Sequence, residues 1–189
     1  MKHIFIFFTL MFIQFSLAEN VYIYAEPNSY HSNQRHLSED DCKDNAILIN
    51  QFSLNQPAGV VLIELDISKE TAIVFAGILD ANSRFSHANI WNFPRAEKAS
   101  TTNLTQDKFN YSIKEKDYVH WVDLNRVKLN GSFYSDEDVA PCDSSSALSW
   151  DIGTLISEEQ FNEISELIRL KTVEQDLAYG LLYKKLKKF

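Results

Sequence analysis

The chain has 189 residues, with 18 Lys and Arg against 26 Asp and Glu and a formal net charge of −8. A hydrophobic share of 45 % with 23 % charged residues is the balance of a folded chain and excludes a disordered or collagen-like one. Only 5 Gly and 4 Pro leave little room for glycine-rich phosphate cradles, and the acidity argues against nucleic acid as a partner.

Residues 1–18 carry the signature of a secretory signal peptide. Lys2 gives a positive start, Ile4 to Phe15 is an apolar run broken only by Thr9 and Gln14, and Ser16-Leu17-Ala18 places small residues for cleavage after Ala18. The run is short for a membrane span, which needs about 20 residues, so an uncleaved anchor is the lesser alternative. The expected mature chain is residues 19–189, one α+β domain, periplasmic or secreted. It loses Lys2 and no acid, so it is one charge more negative than the precursor. No later apolar stretch is long enough to predict stable membrane insertion.

Val21-Tyr22-Ile23-Tyr24 reads as a short strand, and the polar residues 26–36 as a loop. Ser38 has the character of a helix cap, with Asp41 three residues on, and predicts an N-terminal helix over about Glu39–Phe52; a strand at Ala46–Ile49 competes with it. Beyond the breaker Gln56-Pro57-Ala58-Gly59, Val61, Ile63, Leu65 and Ile67 share one face of a strand. Ser68-Lys69-Glu70 turns it into a second strand at Thr71–Ala76. Further strands are expected near His87–Trp91, at 109–113 and at 118–124, where Tyr118, His120, Val122 and Leu124 alternate with Val119, Trp121 and Asp123. Arg126–Leu129 also alternates, Asn130-Gly131 signals a turn, Phe133-Tyr134 a return strand, and Ala147–Ile152 a short β piece. Ser157-Glu158-Glu159-Gln160 is a capping box opening a helix in which Phe161, Ile164, Leu167/Ile168, Val173, Leu177 and Leu181 recur, with Gly180 as a candidate end or kink. The predicted fold is α+β: an antiparallel sheet of about five to seven strands packed against the C-terminal amphipathic helix, with the N-terminal helix as a further candidate. The Lys-rich end of that helix suits its dipole, and a contact with anionic membrane is the alternative use.

Cys42 and Cys142 are the two cysteines, and an isolated pair in an exported chain predicts one disulfide. Two free thiols or a catalytic Cys are the alternatives. The flanks of both are acidic. The bond would gather Glu39, Asp40, Asp41 and Asp44 with Asp136, Glu137, Asp138 and Asp143. Glu39, Asp40, Asp41, Asp136, Glu137 and Asp138 are therefore the candidate partner-binding residues, forming a docking surface for a basic protein. A Ca²⁺ site and a pair of solvated loops compete with that reading, although the D-x-[DN]-x-[DN]-G loop is absent.

Phosphate-loop, dinucleotide, G-x-S-x-G, C-x-x-C and H-E-x-x-H motifs are all missing, and no cofactor or metal site is predicted. His31 and His36 fall in the polar loop, His87 and His120 in strands. Trp91, Trp121 and Trp150 are candidates for a core, an interface or a sugar-stacking platform. Sequons begin at Asn103, Asn110 and Asn130 and bear glycans only in a eukaryotic host. The expected function is an exported, non-catalytic binding protein, of periplasmic inhibitor or immunity type, using an acidic face. The alternative is a small secreted hydrolase with His87 or His120 as base beside Asp80 or Asp123.

Overall fold

A computed structural model of the chain describes residues 20–35, 48–93, 100–115, 118–139 and 142–186. The strands are β1 (Asn20–Ala25), β2 (Ser29–Arg35), β3 (Leu48–Asn55), β4 (Gly59–Asp66), β5 (Thr71–Leu79), β6 (Phe85–Phe93), β7 (Ser100–Leu104), β8 (Lys108–Glu115), β9 (Tyr118–Asn125), β10 (Gly131–Val139), β11 (Cys142–Trp150) and β12 (Gly153–Leu155), followed by the helix α1 (Glu158–Leu186). They form a 5-stranded sheet, β12-β1-β4-β5-β6, and a 7-stranded sheet, β3-β2-β11-β10-β9-β8-β7, with every pairing antiparallel. The class is α+β, with the strands divided between two sheets.

The smaller sheet is the middle layer. Residues alternate faces along a strand, so β4 sends Val61, Ile63 and Leu65 toward the larger sheet and Val60 and Leu62 toward α1. Between the sheets, Phe133 meets Trp91 (ring centroids 4.1 Å apart) and Phe93 (6.3 Å), and Phe93 meets Tyr111 (5.5 Å). On the other side, Phe161 of α1 packs on Phe75 and Tyr22, and Ile168 is fully buried beside them. The capping box forms as its sequence requires: Gln160 N–H donates to Ser157 Oγ (3.2 Å), and Ser157 N–H donates back to Gln160 Oε1 (3.0 Å).

Several sequence expectations change. Residues 29–35 are strand β2, because pairing with β11 and β3 satisfies a polar backbone that its side chains do not mark as a strand. The helix expected over 39–52 is overturned at 48–52, which belong to β3; residues 39–47 lie outside the described residues, and no N-terminal helix is shown. Arg126–Leu129 is a turn. Asn125 Oδ1 accepts the N–H of Val127 and Lys128, and Leu129 takes the left-handed conformation (φ 57°), ahead of the Asn130-Gly131 pair. The return strand β10 reaches Val139, and β11 starts at Cys142. Gly180 neither ends nor breaks α1, which runs to Leu186. The helical stripe expected to pack as one face divides in two. Phe161, Ile164 and Ile168 face the sheet, while Leu167, Val173, Leu177 and Leu181 are exposed. Among the described residues, no helix is long and apolar enough to cross a membrane.

Candidate functional site

Among the described residues, no helix lies on the outer face of the seven-stranded sheet; α1 lies on β6, β1 and β5 of the other sheet. Alternation along β10 sends Phe133 and Ser135 inward and Tyr134 and Asp136 outward. On β9 the same rule sends Val122 and Leu124 inward and Trp121 outward. Tyr134 and Trp121 are direct cross-strand partners, and their half-buried rings stack with centroids 6.0 Å apart and planes 26° from parallel. The Tyr134 hydroxyl donates to Asp136 Oδ2 at 2.8 Å. That bond, with burial and the carboxylate charge behind it, raises the Tyr134 pKa and keeps the phenol protonated.

Asp136 therefore stands beside an aromatic platform, a juxtaposition that the acidic run alone does not reveal. Farther along the hairpin, Glu137 pairs with Ser144, and Asp138 lies directly across from Asp143. The side chains of Glu137 and Asp138 are not described. Glu39, Asp40, Asp41 and Cys42 lie outside the described residues. The Ca²⁺ alternative turns on those side chains. Cys142 opens β11 opposite Val139, at the sheet end where β2 finishes at Arg35.

A second polar group lies between the sheets. Ser32, Ser146, Ser135 and His120 occupy one cross-strand row: Ser32 pairs with Ser146, Ser146 with Ser135, and Ser135 with His120. The three serines are buried. Ser135 Oγ and His120 Nε2 are 2.9 Å apart. Across the gap, Asn89 Nδ2 donates to the Tyr30 hydroxyl (2.8 Å) and lies 3.3 Å from His87 Nε2. Burial lowers the pKa of His120, and burial with the Lys171 charge pushes His87 down to about 4, so both rings are neutral at neutral pH. A hydroxyl–imidazole pair supplies two of the three members of a nucleophilic triad. The acids expected to complete it are turned elsewhere. Asp123 is exposed, on the face opposite His120, and Asp80 accepts the N–H of Asn82 and Arg84 in the β5–β6 turn.

At the opposite end of the sandwich, an open depression of about 510 Å³ is bordered by Tyr24, Glu26, Asn28, Gln56 and Asp151, with no cationic side chain in its lining. No protein-family model, curated protein or solved structure matches the chain.

Proposed function

We propose that the mature chain is an exported, non-catalytic binding protein, of inhibitor or immunity type, that takes a basic protein partner on the outer face of its seven-stranded sheet. The observation that carries this reading is the stacked Trp121–Tyr134 pair with Asp136 hydrogen-bonded at its edge, continuing into the Asp138–Asp143 register. An aromatic face beside a carboxylate suits a Lys or Arg side chain, which gains a ring contact and a charge-assisted hydrogen bond together. Aromatic residues also dominate the energetics of protein interfaces.

The proposed Cys42–Cys142 disulfide would bring Glu39, Asp40 and Asp41 to the same end of the sheet. The connection from β2 to β3 departs from Arg35, beside the first residues of β11, and Cys42 follows seven residues later in the sequence. A Lys/Arg-rich peptide is the first probe, read by Trp121 fluorescence and by capture of basic exported proteins on the immobilised mature chain. Charge reversal at Asp136, Glu137 and Asp138 together is expected to weaken binding by about tenfold or more, and to flatten its salt dependence. Unchanged binding in that variant sinks the reading.

The Ser135–His120 contact favours a second reading, a hydrolase acting on esters. Ser135→Ala separates the two: it abolishes turnover of an activated ester if Ser135 is a nucleophile, and leaves peptide binding intact if the outer face is the site.

A further inference from the structure

We infer that α1 is a dimerisation element, pairing antiparallel with α1 of a second copy of this chain through the face turned away from its own sheet. Leu167, Leu170, Val173, Leu177 and Leu181 are between 52 % and 69 % exposed. At about 100° per residue they fall within an arc of roughly 120°. The buried residues Phe161, Ser165, Ile168 and Gln175 fall in an arc on the opposite side of the helix. The helix thus has two apolar stripes, and its own core covers one of them.

Charge along the exposed stripe names the occupant. On the same side of the helix, Glu159, Glu163 and Glu166 precede the apolar residues, and the positions of Lys184 and Lys185 follow them. The face reads acidic, apolar, basic. A two-fold axis near residue 174 lays Leu167 near Leu181 of the other copy and Leu170 near its Leu177. The same operation sets Glu163 at the level of Lys185. A surface of this kind is complementary to itself only when inverted, which is the condition for an isologous two-fold interface. Glu174, close to the axis, is already paired with Lys171 at 3.2 Å, which limits repulsion between the two copies there.

The area is sufficient for a weak, specific pair. Five side chains, each showing on the order of 100 Å², bury about 1,000 Å² over two copies, near the lower limit for a biological interface, and the charged ends add to it. The outer face of the seven-stranded sheet stays open in such a dimer, so each assembly would carry two acidic faces.

Sedimentation equilibrium of the full mature chain, over a concentration series reaching hundreds of micromolar, tests the inference. The expected result is a monomer–dimer equilibrium that Leu177→Asp with Leu181→Asp abolishes while the circular dichroism and thermal midpoint stay unchanged. Glu163→Lys with Glu166→Lys should weaken the dimer, as should Lys184→Glu with Lys185→Glu, and combining the two sets should restore it. A monomer at every concentration overturns the inference. Failure of the combined variant to recover overturns the antiparallel arrangement. Co-sedimentation of a monomer with phosphatidylglycerol vesicles, lost in the two-Leu variant, assigns the stripe to a lipid surface instead.

Discussion

The side-chain amide of Gln175 meets both backbone groups of Ala88: its Oε1 accepts the Ala88 N–H at 2.7 Å, and its Nε2 donates to the Ala88 carbonyl at 3.1 Å. β6 is an edge strand, and this amide stands where a neighbouring strand's peptide would. The contact also fixes where along the sheet the helix sits. Gln175→Ala leaves two buried backbone groups unpaired and is expected to cost about 2–3 kcal/mol in urea unfolding. Gln175→Glu keeps the acceptor but loses the donor, and is expected to be at least as damaging. A neutral result for both would mean that the helix is positioned by Phe161 and Ile168 alone.

Stability should fall as the pH drops from about 6.5 to about 4. His87 is buried beside Lys171, and its pKa is pushed from 6.5 down to about 4. In that window the unfolded chain binds a proton that the folded chain refuses, so acid favours unfolding. The stabilisation is complete above 6.5 and gone near 4, and amounts to about 3 kcal/mol for a shift of this size. Burial of His120 acts in the same direction. Urea midpoints measured at intervals across the window should show the slope, and His87→Leu should reduce it.

The strands that sequence made legible are those with apolar alternation, because burial on one face imposes a period of two. Val61, Ile63 and Leu65 placed β4, and the Tyr118–Leu124 alternation placed β9 with its inward residues. The strand β2 was not legible. Ser29, His31, Ser32, Asn33 and Gln34 give no hydrophobic signal, and only the pairing with β3 and β11 makes them extended. The same applies to the far half of β10, where Ser135-Asp136-Glu137-Asp138 resembles a solvated loop until β9 and β11 hold it. Trp121 and Asp136 were each visible as candidates. Their meeting depends on the register that pairs Tyr134 with Trp121, a long-range fact that no local pattern contains.

Ser32 should be replaceable at a profit in stability. It is 0 % exposed, and among the described residues its Oγ has no hydrogen-bond partner. A buried hydroxyl without a partner costs about 1–3 kcal/mol. Ser32→Ala removes the hydroxyl at almost no loss of packing volume and is expected to raise the thermal midpoint by a few degrees. A fall in the midpoint would show that the hydroxyl contributes something to the inter-sheet seam.

Two glycines should respond to alanine in opposite senses. A Cβ on Gly131 would lie 2.4 Å from the Asp123 carbonyl oxygen and 2.6 Å from Cζ2 of Trp150. The carbonyl belongs to the paired strand β9. The Trp150 ring is buried and tied by its Nε1–H to the Leu129 carbonyl at 2.9 Å, so neither neighbour can yield without disturbing the β9–β10 turn. Gly131→Ala should therefore destabilise the chain by about 2–4 kcal/mol through overpacking and strand displacement. Gly180 lies inside α1, and among the described residues a Cβ there would meet nothing within 4 Å. Gly180→Ala reduces the freedom of the unfolded chain and should add about 0.5–1 kcal/mol. Urea unfolding of the two variants side by side checks both signs, and a destabilised Gly180→Ala would mean that this part of the helix needs the flexibility that glycine provides.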